Sequence, residues 1–264
     1  MTLPGFFEGT EMPDPGWWEA LWPDPGRVIR DVGIAAGMTV VDLCSGDGWF
    51  TLQLSKVARA VIAIDIDGKL LETARVRLAE SGLTNCVLIE ANAYDLANVV
   101  RDRVDIVFLA NAFHGVPDKP RLAGAVHDVL KPGGLFAIVN WHARPREETI
   151  VLGQPRGPAK ELRITPEETI AIMRSSGLAF QGQIEVPPYH YAAVFKRRSK
   201  GAAPQYDGST SARATAASTG PSHWRRRATA QASSLESGTS GRHRRCGGRS
   251  GTYRGSRHRA NSGR

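Results

Sequence analysis

The sequence predicts an α/β protein built on a doubly wound, mostly parallel sheet of seven strands that ends in an antiparallel hairpin. Three observations carry this prediction. Short apolar runs alternate with stretches of helical spacing, turns rich in Gly, Pro and Asp separate them, and two further apolar runs close the pattern near residue 197. Uninterrupted apolar runs are typical of parallel strands that are buried on both faces.

The first five apolar runs are predicted as buried parallel strands, and they cover residues 38–43, 60–65, 86–90, 104–110 and 135–141. The helical spacing between them predicts helices at 49–57, 67–81 and 119–130. Gly82 ends the second of these helices, and Lys131-Pro132-Gly133-Gly134 is predicted as a turn. Each strand is therefore followed by a crossover.

The region after the fifth strand closes the sheet. Residues 143–164 are rich in Pro, Arg and Glu and are predicted as a loop, and Thr165-Pro166-Glu167-Glu168 opens a further helix with a Thr cap and Pro at its first position. Strands near 178–186 and 190–197 follow. They predict an antiparallel edge, which a doubly wound sheet tolerates.

Charge and composition divide the chain into segments. Residues 1–198 carry 21 Lys and Arg against 24 Asp and Glu, whereas residues 199–264 carry 13 against 2, so the whole-chain net charge of +8 comes from the tail. We expect an N-terminal cap at residues 1–26, where Pro, Trp and acidic residues follow no clear period, and a folded domain at 27–198. A disordered, basic, low-complexity tail is expected at 199–264.

Two interpretations of the tail stay open. Arg225-Arg226-Arg227 and Arg242-His243-Arg244-Arg245 fit a nucleic-acid-binding protein that contacts phosphates, with Trp224 or Tyr253 stacking on bases. The alternative is a solvated extension without function, which includes out-of-frame or read-through sequence. The second is favoured because no base-reading motif accompanies the arginines.

Cysteine usage and the first residues of the chain indicate the cellular environment of the protein. Cys44, Cys86 and Cys246 have no paired spacing and no neighbouring His at zinc-ligand intervals, so neither a disulfide framework nor a metal site is expected. Residues 1–8 lack a basic segment followed by an apolar one, and no apolar run approaches membrane-spanning length. We expect a cytoplasmic protein without a membrane span.

The most informative stretch is Asp42-Leu43-Cys44-Ser45-Gly46-Asp47-Gly48, where the first apolar run breaks into a turn. The missing Cβ of Gly46 and of Gly48 lets the backbone approach a ligand, and the helix that follows offers unpaired N–H groups. Asp65 ends the second strand, where a carboxylate suits a ribose diol. Together they predict an adenosine-containing cofactor, although the glycines alone also fit nicotinamide dinucleotides.

With the strand order in place, residues 27–198 resemble Rossmann-like class I S-adenosylmethionine-dependent methyltransferases of the small-molecule type, including ubiquinone and menaquinone methyltransferases. The acidic residue and the alternating glycines of that family are matched by Asp42, Gly46 and Gly48. Cys44 stands where the first glycine usually sits. We expect φ of Cys44 to be negative, so that the turn persists with a structural rather than a reactive thiol.

The resemblance implies S-adenosylmethionine as cofactor. Asp65 would bind the ribose, Ile66 would pack against the adenine, and the side-chain carbonyl of Asn92 would accept from the adenine amino group. Considered alone, Asn92 is also an ordinary turn residue. The cofactor-binding residues that the resemblance implies are Asp42, Cys44, Gly46, Gly48, Asp65, Ile66, Asn92, Ala93, Tyr94 and Asn111.

Aromatic, imidazole and cationic side chains from distant segments predict a pocket for a small-molecule acceptor. The candidate residues are Trp17, Trp18, Trp22, Phe113, Trp141, Arg144, Arg146, Tyr189, His190 and Tyr191. Each also has a plain structural interpretation, such as core packing for Trp141 or a solvated loop for Arg144 and Arg146. His190 is the weakest candidate, because alternate residues of a hairpin face opposite sides.

The implied reaction is in-line methyl transfer. A hydroxyl or protonated amine acceptor needs a base, for which His142 and His114 are the candidates, whereas a soft thiolate needs none. A narrower alternative is C-methylation of a quinone or lipid precursor. Asn111-Ala112-Phe113-His114 departs from the Asn-Pro-Pro-Tyr type of motif, which argues against methylation of nucleobase amino groups.

Overall fold

The computed structural model describes residues 15–198 and contains a seven-stranded sheet in the order β3-β2-β1-β4-β5-β9-β8. The strands are β1 (Thr39–Leu43), β2 (Ala60–Asp65), β3 (Cys86–Glu90), β4 (Val104–Ala110), β5 (Leu130–Trp141), β6 (Ile150–Val151), β7 (Gln154–Pro155), β8 (Leu178–Val186) and β9 (His190–Arg197). The fold class is confirmed. The predicted tail and the first fourteen residues of the predicted cap lie outside the described residues.

Seven α-helices are present within the described residues: α1 (Pro15–Leu21), α2 (Pro25–Asp31), α3 (Trp49–Val57), α4 (Gly68–Glu80), α5 (Leu96–Val99), α6 (Lys119–Val129) and α7 (Pro166–Met173). Apolar residues of α5, α6 and α7 pack on one face of the sheet, and those of α1, α2 and α3 pack on the other. None of these helices is both long enough and apolar enough to cross a membrane.

Strand pairing locates the edge at which a ligand is expected. Strands β1 to β5 pair in parallel, and β9 pairs antiparallel to β5, with Trp141 opposite His190. Because β1 lies between β2 and β4, the strand order reverses there. In open α/β sheets, ligands bind outside the carboxyl ends of the strands at this reversal.

Local capping fixes where two helices begin. Thr165 Oγ1 accepts from the Glu168 backbone N–H at 3.1 Å, and Glu168 Oε2 accepts from the Thr165 N–H at 2.7 Å. This reciprocal capping box, with Pro166 at the first position, confirms the predicted start of α7. Asp67 caps α4 by accepting from the Lys69 N–H at 2.8 Å.

The predicted turn at 131–134 is wrong, because these residues lie within β5. The pairing with β4 moves from Val104 and Leu130 to Ile106 and Leu135, so residues 131–134 form a wide bulge. Gly133 has a φ of +80°, and a Cβ on Gly134 would lie 3.1 Å from the Asp105 carbonyl oxygen. The two glycines allow the strand to continue through a sequence that has the composition of a turn.

Two segments predicted as irregular contain short elements. The segment 143–164 holds the β6–β7 hairpin and 3₁₀ turns at Arg146–Glu148 and Lys160–Leu162. The described part of the cap forms α1 and α2, each of seven residues. Such elements span about two helical turns or less, which is too short for a hydrophobic period to appear.

Gly48 precedes α3 with a φ of +79°, and a Cβ there would lie 2.6 Å from the Ala74 Cβ on α4. We expect Gly48→Ala to lower the free energy of unfolding by about 2–4 kcal/mol, from backbone strain and overpacking. Urea unfolding measures this. Gly124→Ala on α6 is the matched control, because no atom lies within 4 Å of its Cβ and the change should stabilise by up to about 1 kcal/mol. Equal effects at both positions would contradict the packing argument.

Candidate functional site

The carboxylate of Asp65 ties the glycine turn to the end of β2. Its Oδ2 accepts from the Gly46 N–H at 2.7 Å, and its Oδ1 accepts from the Asp67 N–H at 3.0 Å. Ser45 N–H donates to the Ile64 carbonyl at 3.1 Å, which joins the same two segments again. Burial raises the pKa of Asp65, and the backbone N–H groups act in the opposite direction. The turn and the carboxylate therefore form one unit at the strand-order reversal.

Asp42 is buried beneath this turn. Its Oδ2 accepts from Thr51 Oγ1 at 2.6 Å. Burial raises the pKa of Asp42 to about 7, the Thr51 hydroxyl opposes the shift, and the neighbouring carboxylates of Asp65 and Asp47 add to it. Asp42 therefore joins β1 to α3 and is close to half protonated at neutral pH.

Cys44 corrects one expectation. Its φ is +57°, in the left-handed region that favours glycine, and not negative. The thiol packs against the core, and burial together with Asp65 and Asp42 raises its pKa well above the usual range. Cys44 thus adopts the backbone of the glycine it replaces, and its side chain stays a thiol.

Gly48 has a packing role in addition to the expected one. Its missing Cβ makes room for Ala74 of α4. Next to it, Asp47 accepts from the Trp49 N–H at 3.2 Å and pairs with Arg77 of α4 at 2.7 Å. Sequence reasoning missed Arg77, because nothing in a helical period distinguishes it from a solvated residue. This buried ion pair holds α4 against the turn.

The carboxyl ends of β3 and β4 supply further predicted residues. Asn92 Oδ1 accepts from the Tyr94 N–H at 3.0 Å, so Asn92 caps the 3₁₀ turn Ala93–Asp95, and its oxygen retains a second lone pair. Tyr94 Oη accepts from the Asp118 N–H at 2.9 Å, and the Arg121 guanidinium lies 4.3 Å from the Tyr94 ring centroid.

Three more predicted cofactor residues complete this edge. Ile66 is half-buried directly after Asp65, and Ala93 is buried within the 3₁₀ turn. Asn111 follows β4 with a φ of +57°. Left-handed Asn residues are several-fold enriched among non-glycine residues, and strain of this kind clusters at ligand sites.

Two buried oxygens lie just after the adjacent strands β1 and β4, and their partners show whether a polar ligand fits this edge of the sheet. Ser45 Oγ and Asn111 Oδ1 have no hydrogen-bond partner among the described residues. Buried polar atoms are normally paired. The residues present therefore fit a ligand with polar groups at this edge.

An aromatic cluster lies on the α1–α3 face of the sheet. Its members are Trp17, Trp18, Trp22, Trp49, Phe50, Phe108, Trp141, Tyr189 and His190. His190 is 1% exposed, with its ring centroid 4.1 Å from Trp141 and 4.6 Å from Trp22. Burial, with the nearby cationic and imidazole side chains, places the pKa of His190 well below its usual value. His190, the weakest candidate by sequence, is thus central to the cluster.

Four predicted acceptor residues lie away from this cluster. Tyr191 faces the opposite side of the sheet, where its hydroxyl lies 2.7 Å from Thr169 Oγ1, and Phe113 is in the core of that same face. Arg144 and Arg146 are exposed, which matches the plain interpretation of a solvated loop. The predicted set is therefore divided between two faces and the surface.

The two candidate bases have different partners. His114 Nδ1 lies 3.0 Å from Asn140 Oδ1, and burial lowers the pKa of His114 to about 4. His142 Nε2 lies 2.9 Å from the carboxylate oxygen Oε2 of Glu185. A carboxylate orients an imidazole and stabilises its protonated form, so His142 has the geometry of an oriented base.

Arg163 was missed by sequence reasoning and is only 5% exposed. Its guanidinium lies 5.0 Å from the Trp141 ring centroid. It donates from Nε to the Pro158 carbonyl at 3.0 Å and from a terminal nitrogen to Thr149 Oγ1 at 3.0 Å. The same segment, residues 143–164, contains four other Arg and Lys residues, so only tertiary structure distinguishes Arg163.

Comparison with known proteins extends the sequence resemblance. The family model described as a methyltransferase domain matches residues 34–169. A ubiquinone/menaquinone biosynthesis C-methyltransferase of Marinomonas sp. is 30% identical over 128 residues, which cover 47% of this chain and 50% of that protein. A 2-phytyl-1,4-naphtoquinone methyltransferase of Nostoc sp. is 32% identical over 132 residues, covering 48% and 56%. The chain spans about half the length of these curated relatives.

Solved structures agree with the sheet. The crystal structure of a SAM-dependent methyltransferase from Aquifex aeolicus is 25% identical, has a TM-score of 0.59, and is matched over 94% of its chain and 70% of this one. The similarity to that structure thus includes nearly all of it.

Cys44→Val should lower the free energy of unfolding by about 2 kcal/mol or more, because a β-branched side chain tolerates positive φ poorly. Cys44→Gly should stay within about 1 kcal/mol of the wild type, since relief of strain offsets lost packing. Urea unfolding compares both with Cys86→Val in β3. A Cys44→Val cost no larger than that of Cys86→Val would contradict the strain argument.

Asp42→Asn should change how stability depends on pH. The folded-state pKa of Asp42 is raised from 3.8 to about 7, so the folded state binds a proton more tightly and stability falls as pH rises through that window, by at most about 1.4 kcal/mol per pH unit. Asn can still accept from Thr51, so the variant should show a flatter profile. Unfolding midpoints between pH 4 and 7 for both proteins test this, and parallel profiles would refute it.

Proposed function

The chain belongs to the methyltransferase-domain family, as the match over residues 34–169 shows, and on that premise we propose that it transfers a methyl group from S-adenosylmethionine to a small-molecule acceptor. The observation that carries the proposal is the 2.7 Å hydrogen bond from the Gly46 N–H to Asp65 Oδ2. It joins the glycine turn of β1 to the carboxylate of β2 at the strand-order reversal, where open α/β sheets bind ligands.

In this proposal the cofactor lies across the carboxyl ends of β1 to β4. Asp65 accepts from the ribose hydroxyls, with Ile66 and Ala93 against the adenine and Asn92 accepting from its amino group. Ser45 Oγ and Asn111 Oδ1, which have no partner among the described residues, meet the polar methionine end. Asp42 and Gly48 support the turn from below, through Thr51 and Ala74.

When bound, S-adenosylmethionine supplies a methyl group that its sulfonium already activates. The protein then needs to hold the acceptor in line and to exclude water, and positioning of this kind can supply about 7–11 kcal/mol of a barrier. The tryptophan-rich cluster around Trp141 and His190 is buried on the α1–α3 face of the sheet, at the carboxyl end of β5. The acceptor is proposed to lie beside this cluster.

His142 is the proposed base for an acceptor that must lose a proton. Its Nε2 faces Glu185, so its Nδ1 is the atom that takes the proton. His114 is a poorer base, because burial lowers its pKa to about 4 and an amide rather than a carboxylate faces its Nδ1. His114 is proposed to position the end of β5 through Asn140.

Methylation of a quinone or lipid precursor at carbon is the second candidate function. It is favoured by two relatives whose names describe quinone methyltransferases and by the aromatic character of the cluster beside β5. Flat, apolar rings stack well on tryptophan. Labelled S-adenosylmethionine, incubated with the protein and a cell metabolite extract, tests both candidates, because the labelled product identifies the acceptor and its methylated atom.

Asp65→Asn should raise the dissociation constant for S-adenosylmethionine by roughly tenfold or more, the effect of losing a hydrogen bond to a charged group. The amide keeps one acceptor oxygen, so the fold should persist. Calorimetry measures the constant. Asp105→Asn is the matched control, because Asp105 also accepts a backbone N–H, from Thr39 at 2.8 Å, at the opposite end of the sheet. Unchanged affinity of Asp65→Asn for S-adenosylmethionine would contradict the assignment of the cofactor site.

His142→Ala should lower kcat by about 10²–10⁴-fold for an acceptor that loses a proton, with affinity for S-adenosylmethionine unchanged. Glu185→Gln should lower kcat less, since the imidazole keeps a hydrogen-bonding partner but loses the negative charge beside it. His127→Ala is the control, because His127 pairs with Asp128 on α6 away from this edge. Wild-type kcat in His142→Ala, measured on the acceptor found by labelling, would remove His142 from the mechanism.

A further inference from the structure

Arg163 is a buried cation that forms no close ion pair among the described residues. Within residues 15–198 it forms no salt bridge, although it is 5% exposed. Burying an unpaired charge is costly unless a partner of opposite sign reaches it. The positive charge also acts on His190 and His114, whose protonation it disfavours. Burial and the neighbouring Arg146 lower the pKa of Arg163, and the Glu147 carboxylate opposes this shift without forming a salt bridge to the guanidinium.

Its hydrogen bonds leave one terminal nitrogen unused. Nε and one terminal nitrogen hold the loop 149–158 through Pro158, Thr149 and the Arg156 carbonyl. The other terminal nitrogen, Nη1, is buried and has no partner among the described residues. The loop contacts alone therefore do not account for the whole guanidinium.

The surroundings of Trp141 contain more buried polar atoms without partners among the described residues. Trp17 Nε1 lacks a partner within the described residues, as do both ring nitrogens of His190. Trp17 lies 6.0 Å from the Trp141 ring centroid, His190 lies 4.1 Å from it, and Arg163 lies 5.0 Å from it. An indole and a guanidinium only donate, so the group complementary to them is one that only accepts.

We propose that Arg163 Nη1 binds a carboxylate or phosphate carried by the methyl acceptor. This rests on the proposed function and names the acceptor's chemical class. Arg144 and Arg146, which the sequence predicts for the acceptor pocket, are exposed, whereas Arg163 has the burial that makes a charged hydrogen bond strong.

The carboxylate could come from two sources, the acceptor or the methionine end of the cofactor. Trp141, on which Arg163 lies, ends β5. The turn and Asp65 lie on β1 and β2, and β4 separates β1 from β5. This placement favours the acceptor as the source of the carboxylate. The experiment also measures cofactor binding, which tests the other source.

Calorimetry on the full chain would use benzoate, 1-naphthoate and phenyl phosphate as probes, with benzamide and 1-naphthamide as their neutral counterparts. The variants are Arg163→Gln and Arg163→Lys, with Arg146→Gln as the matched control in the same segment. We expect the wild type and Arg146→Gln to prefer at least one anion over its neutral counterpart by about tenfold or more. Arg163→Gln should lose the preference, and Arg163→Lys should retain part of it.

S-adenosylmethionine affinity is measured on the same samples. A loss of cofactor affinity in Arg163→Gln, without an anion preference in the wild type, would assign Arg163 to the cofactor and overturn the proposal. An anion preference that survives in Arg163→Gln would overturn it as well. If Arg163→Gln unfolds, the proposal is judged on two results: the anion preference of the wild type, and its partial retention in Arg163→Lys. Failure of the wild type to bind S-adenosylmethionine would instead contradict the proposed function.

Discussion

The hydrogen bond between the Gly46 N–H and the Asp65 carboxylate is the contact on which the candidate site depends. Asp65 is buried, which raises its pKa, and the backbone N–H groups aimed at it oppose that shift. The turn supplies one of these groups by adopting left-handed backbone at Cys44, Gly46 and Gly48. Strained backbone of this kind persists only where its surroundings hold it in place. Here the Asp65 carboxylate and the close approach of Ala74 do so.

The sequence was sufficient for features that depend on local pattern. Buried strands gave continuous apolar runs, and the Thr165 cap gave the start of α7, because both signals are complete within a few neighbouring residues. The bulge at 131–134 was not predictable in this way, since its residues have the composition of a turn and the pairing of β5 with β4 on either side keeps them in the strand. Composition describes what a backbone can do, and tertiary pairing selects one outcome.

The need for tertiary information also explains why some residues predicted for the candidate site lie elsewhere and others take their place. A period of two says that His190 and Tyr191 face opposite sides, but it does not say which one faces the cluster. Register supplies the answer, because Trp141 lies opposite His190 and both point to the α1–α3 face. A loop has no sequence periodicity, so the sequence does not indicate which of its arginines is buried. Arg163 differs from Arg144 and Arg146 only through the contacts that bury it, and these contacts join residues that are 5 and 14 positions apart.

The two histidines beside β5 extend this argument from position to chemistry. An imidazole needs a neighbour that stabilises its protonated form if it is to accept a proton during a reaction. Asn140 offers His114 a dipole in a buried setting, and there the neutral ring is favoured. Glu185 offers His142 a full charge at a partly exposed position. One residue type therefore has an amide partner in one place and a carboxylate partner in the other, and the role proposed for each histidine follows from its partner.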